Sequence, residues 1–151
     1  MNKLAFRLTI DDVIEVAYAN AVKLMQYDQP IHEYEKIKGE FDLAKLESAI
    51  GAPFQTYKGK YLIRGFYMKA GALFYYLSKA HALVNGNKRL AVTSLMVFMA
   101  KNNKWIDMPH KDLLELSIMI ASGDAKVKDT TIEAVAAKIK KFAVSSDKIP
   151  K

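Results

Sequence analysis

The chain has 151 residues, about half of them apolar, which is enough for one ordinary domain with a real core and leaves residues 1–151 to be read as a single unit. It has no cysteine, so neither disulfides nor a thiolate metal site can hold the fold, and the composition suits a reducing cytoplasm. A net charge of +7 favours an acidic partner or simply a soluble basic surface, and the sign alone does not choose between them.

At the N-terminus, Met1 to Ile10 lacks the apolar core and small-residue cleavage site of a secretion signal. Thr9 and Asp12 form a helix-capping pattern. Ile10, Val13, Ile14, Ala17, Ala21, Leu24 and Met25 then recur at helical spacing, predicting a helix from about Ile10 to Tyr27. The pattern dissolves between Asp28 and Glu40, so residues 1–41 read as an N-terminal helix and loop. Asp42 opens a short helix through Leu43, Leu46, Ala49 and Ile50, which Gly51 and Pro53 end. The stretch Phe54 to Leu62, FQTYKGKYL, alternates aromatic and polar residues around Gly59 and is the one candidate strand region, a small hairpin or flap.

Apolar residues return at helical period from Gly65 to Ala82, and a second long apolar helix starts after Asn87 and closes at Asn102 and Asn103. Its apolar run, Leu90 to Ala100, falls far short of the roughly 20 residues that a membrane span needs. Asp107 and Pro109 start a helix ending near Ser122 and Gly123. Thr130 with Glu133 suggests a capped start for a last helix to about Val144, which closes a core of 42–144, and 145–151 read as a tail. Trp105 is expected at the core edge, His32 and His110 on the surface without a second ligand at metal spacing, and Met96, Met99 and Met119 as core filler. Lys138, Lys140 and Lys141 are expected on a solvated face.

Two buried helices thus bracket HALVNGNKR, residues 81–89. Asn85, Gly86 and Asn87 feeding a helix have the parts of an anion nest. Gly86 frees the backbone, the first-turn amides point outward, and the helix dipole favours negative charge. Lys88 and Arg89 add a compact cation and a planar fork suited to phosphate oxygens. His81, across the turn, has the side chain to take a proton from a hydroxyl near neutral pH, while the plainer reading leaves it capping a helix end beside solvated charges.

These residues resemble the Fic/Doc (death-on-curing) motif, which runs His, any, Phe, any, Asp or Glu, Gly, Asn, Gly or Lys, Arg. The match falls at His81, Gly86, Asn87, Lys88 and Arg89, and LESAIGAPFQTY, KAGALFYYLSKA and LAVTSLMVFMAKNN extend the likeness over about 100 residues, Asp42 to Phe142. The resemblance implies an all-α bundle of about six helices with a short flap hairpin, acting as an ATP-using transferase that modifies a protein. It implies that His81 deprotonates the target hydroxyl, that Gly86, Asn87 and Arg89 cradle the phosphates, and that Thr56, Tyr57 and Lys58 form a flap aligning the target by strand-like pairing. Lys88 stands where AMP-attaching members carry Gly and Doc-type members carry Lys, so the resemblance favours phosphorylation of a Ser or Thr hydroxyl over AMP transfer.

It also implies a toxin restrained by an antitoxin protein, and the Ser/Thr-x-x-x-Glu-(Gly/Asn) motif of self-restrained members is not evident in the chain. Neither membrane nor sequence-specific nucleic-acid binding is expected. Leu83 replaces the usual Phe with little change in size or hydrophobicity. Asn85 replaces the family's Mg²⁺-binding carboxylate with a neutral amide, so the metal is expected to bind weakly through this position, and a catalytically impaired binding module stands as an alternative.

Overall fold

The computed structural model describes residues 5–19, 42–81, 87–145 and 147. The architecture is mostly helical with a small antiparallel hairpin. Helix α1 covers residues 10–19, with a π-helical stretch over Asp12–Ala17; the rest of the expected 10–27 helix and His32 lie outside the described residues. Its start carries the reciprocal capping box read from the sequence. The Thr9 amide donates to Asp12 Oδ2 at 2.9 Å, and the Asp12 amide donates to Thr9 Oγ1 at 3.0 Å.

Helix α2, Leu43–Gly51, is capped by Asp42, whose side chain accepts from the Lys45 amide, and a 3₁₀ turn at Ala52–Phe54 follows. Strands β1 (Thr56–Tyr57) and β2 (Lys60–Tyr61) pair as a hairpin with Thr56 opposite Tyr61 and Tyr57 opposite Lys60. Lys58 and Gly59 connect them with φ of 52° and 78°, the positive pair that a two-residue type I′ turn demands.

Helix α3, Phe66–Lys79, is the hub. It packs on α2 and on α4 (Asn87–Lys101), α5 (His110–Ser122) and α6 (Lys128–Phe142), so residues 69–75 are buried without a break. The α3–α6 crossing is close enough that a Cβ added at Gly71 would lie 2.9 Å from the Ile132 carbonyl oxygen and 3.0 Å from the Ala136 Cβ. Ser78 and Ser117 share a buried 2.7 Å hydrogen bond between α3 and α5. Lys101 pairs with Asp12 at 2.7 Å, and the Asn102 side chain accepts from the Phe6 amide through Oδ1 and donates to the Phe6 carbonyl through Nδ2, so the end of α4 ties down the N-terminal segment.

Three expectations need correction. The flap is not the only strand region: β3 (Lys104–Ile106) pairs antiparallel with β4 (Ala143–Ser145), so the last helix ends at Phe142 and Ser145 belongs to a strand. Thr130 lies inside α6, and the preceding cap is Asp124, accepting from the Lys126 amide at the head of a 3₁₀ turn. Met96 and Met99 are buried, but Met119 is 68% exposed and lines a groove between α5 and α6. Trp105 is half-buried against the core, as expected.

Candidate active site

Helix α3 ends at Lys79, earlier than the expected Ala82. The Ala80 amide still bonds to the Tyr76 carbonyl, but Ala80 itself is extended and carries His81 out of the helix, exposed. His81 lines a cleft of about 470 Å³ between α2 and α3 with Lys45, Ser48, Tyr76 and Lys79. Lys79 Nζ reaches across to donate to the Gly123 carbonyl at the end of α5, where the helix dipole favours a cation.

The chain re-enters a helix at Asn87, one residue earlier than expected, and Asn87, Lys88 and Arg89 are all half-buried in the opening of α4. No acidic residue shares that turn, so the positive end of the helix dipole and two cations act together. Arg89 lines a second cleft, of about 260 Å³, with Val92, His110, Lys111 and Leu114. Of these two clefts, His81 lines the first and Arg89 the second. Asn85 and Gly86, expected to join them in one nest, lie outside the described residues, as does Leu83.

His110 and Lys111 open α5, far from the motif in sequence, and only the packing of α5 against α4 brings them to Arg89. His110 is exposed, as the sequence suggested, and it also lies beside Arg89. Burial of part of its ring and the charge of Arg89 both hold its pKa below 6.5, so the neutral imidazole is favoured.

Thr56, Tyr57 and Lys58 sit together on the exposed hairpin, with Tyr57 65% exposed. β1 pairs on one edge only among the described residues, which leaves its other edge open for a further strand. Beneath it, Tyr61 meets Phe54 edge-on, Phe54 meets Phe98 edge-on, and Phe98 stacks on Phe66 with centroids 5.3 Å apart. This aromatic column ties the flap to α4, the helix that carries Lys88 and Arg89.

For a divalent cation the donor set is poor. Asn85 offers a neutral amide in place of a carboxylate, and no three His, Cys, Asp or Glu side chains gather among the described residues. No helix among them is long and apolar enough to cross a membrane.

The Fic/DOC family model matches residues 8–99, more than half of the chain and all of 81–89, and the chain belongs to this family. The match reaches well into the N-terminal 41 residues, a part that the sequence resemblance did not include, and stops before α5 and α6. The chain matches no curated protein and no solved structure. The family generally transfers nucleotide-derived groups to proteins.

Proposed function

We propose that the chain is a Doc-type protein kinase, a toxin of the cytoplasm that moves the terminal phosphoryl group of ATP to a Ser or Thr hydroxyl of a target protein and is restrained by an antitoxin protein. The observation that carries this reading is the opening turn of α4, where Lys88 and Arg89 stand half-buried with no carboxylate among them. An ammonium at residue 88 fills the space that a glycine would leave for a further phosphate, and supplies a charge suited to the polyphosphate chain.

In this reading Gly86, Asn87 and Arg89 hold phosphate oxygens through backbone amides and the guanidinium fork. His81 accepts the proton of the target hydroxyl as its oxygen bonds to the terminal phosphorus, and the bond from that phosphorus to the bridging oxygen breaks to release ADP. His81 then returns its proton to solvent. The open edge of β1, with Thr56, Tyr57 and Lys58, aligns the target segment as an added strand. Mg²⁺ has no carboxylate waiting at residue 85, and no step is assigned to it.

Incubation of candidate targets with ATP labelled either in the terminal or in the α phosphate tests the proposal, with label expected only from the terminal position. Transfer from the α position makes the protein an AMP transferase. No transfer from either, with a target still captured, makes it the impaired binding module that Asn85 invites. Nucleic acid is expected to bind only weakly and with steep salt dependence, as a basic surface alone dictates.

A further inference from the structure

Lys69 is the one charged residue among the buried polar residues described, with 6% of its surface exposed. No carboxylate lies within ion-pair distance of it among the described residues, and burial alone holds its pKa below that of a free lysine. An unpaired buried ammonium is costly, and an unbranched apolar side chain would fill similar space without that cost. Packing does not explain the charge, but its contacts do. From the first turns of α3, Nζ donates to the Ile63 carbonyl just past β2 and lies 4.3 Å from the Tyr61 ring centroid and 5.9 Å from that of Phe54. A carbonyl and two π faces are what an ammonium seeks away from water. Tyr61 is the β2 residue paired with Thr56, so the lysine grips the strand directly behind β1.

The same helix that carries Lys69 delivers His81 at its other end. We propose that Lys69 is a positioning residue that fixes the β1–β2 flap relative to the His81 end of α3, so that an extended target segment added to β1 presents its hydroxyl in register with the base. This role rests on the target-binding flap proposed above. It accounts for a cation retained on the core side of α3, and it makes the flap a strut of the site rather than a freely moving hairpin.

The test uses the full chain with Lys69→Met, a near-isosteric change whose folding is checked by circular dichroism. The flap offers its own probe, because Lys58 and Lys60 within it and Arg64 just past it are exposed trypsin sites. Cleavage at these three sites, identified by mass, is expected to accelerate about 10-fold while sites in α3 and α6 stay protected. KM for the acceptor protein isolated by the labelled-ATP experiment is expected to rise by a similar factor, with kcat and ADP affinity unchanged. A variant merely damaged in its core would lose kcat and protection throughout.

Wild-type cleavage of the flap in Lys69→Met overturns the proposal. Faster cleavage with an unchanged KM also overturns it, since the flap would then be anchored without reading the target. Should Lys69→Met fail to fold, Tyr61→Leu removes the nearest π face at a half-exposed position, and wild-type cleavage there overturns the clamp equally. A wild-type protein that transfers nothing sinks the kinase reading and with it the presentation of a hydroxyl to His81, while the cleavage ratio still decides, without turnover, whether Lys69 holds the flap.

Discussion

Replacing Gly71 with Ala pits two known effects against each other at a close approach of α3 and α6. In a helix interior Ala is favoured over Gly by about 1 kcal/mol, so an open site would be stabilised. At Gly71 the new methyl carbon would instead meet the Ile132 carbonyl oxygen at 2.9 Å, the Ala136 amide nitrogen at 3.0 Å and the Ala136 Cβ at 3.0 Å. Two of these three atoms are backbone of α6 and cannot rotate away, so α3 and α6 must move apart. Overpacking of this kind costs about 1–3 kcal/mol. Taking the middle of that range, the net loss is about 1 kcal/mol, a fall in melting temperature of about 2–4 °C for a chain of this size. Thermal unfolding followed by circular dichroism measures it directly, and Gly71→Val should fall further. A melting temperature at or above wild type for Gly71→Ala would refute the reasoning, because it would mean that the helices do not touch there.

Arg89→Ala should weaken ADP or ATP binding by about 1–3 kcal/mol in calorimetry, the range for a charge-assisted hydrogen bond, and unchanged affinity would remove α4's first turn from the nucleotide site. His81→Ala should slow transfer roughly 10²- to 10⁴-fold with nucleotide affinity nearly intact, as loss of a general base requires; an equal loss of both would recast it as a binding residue. Asn85→Asp should tighten Mg²⁺ and raise transfer on the same target, and an unaffected rate would show that the amide is not what limits it. Because His110 titrates below 6.5 in the fold, the unfolded chain binds the proton first. Its contribution to stability is therefore present above that value and is lost as pH falls through it toward the folded value. Melting curves at about pH 7.5 and about pH 5.5 should show a smaller acid-side drop in His110→Gln than in wild type, and parallel curves would refute the assignment.

The features legible in the amino-acid sequence by itself are those of local chemistry. The Thr9–Asp12 box, the helical period of 66–79 and 87–101, and the turn around Gly59 each rest on residues within a few positions of one another, and each lies where local rules put it. The failures share the opposite property. Strands β3 and β4 have three residues each and are separated in the chain by α5 and α6, so neither has enough alternation to be read alone. Thr130 and Glu133 have the spacing of a cap, but Asp124 starts a 3₁₀ turn upstream that runs into α6 and leaves both inside it. His110 beside Arg89 and Lys69 beneath the flap are tertiary facts. Nothing in the residues around either of them announces a partner, and a buried lysine at helical spacing reads as a surface break in the apolar face until its cage is seen.

The two departures at 85 and 88 gain meaning when taken together. Relative to a motif with an acid and a glycine at these places, Asn85 removes one negative charge and Lys88 adds one positive, so the loop is two charge units more positive. A carboxylate there would serve chiefly to hold a cation, and that cation would chiefly neutralise phosphate. A loop that carries the cation covalently, as Lys88 at the positive end of α4, can neutralise phosphate with less need of the carboxylate. Burial and the charge of Arg89 both favour the neutral form of His110, and an anion in that cleft would offset the second of these causes. In the proposed nucleotide site, this balance shifts electrostatic work from a bound cation to Lys88 and Arg89. It predicts that nucleotide affinity will depend more steeply on ionic strength, and less on divalent cation, than in a relative that keeps the acid. Salt and Mg²⁺ titrations of ADP binding, run on wild type and Asn85→Asp side by side, would show the two dependences exchanging; identical titrations would dissolve the link between the two positions.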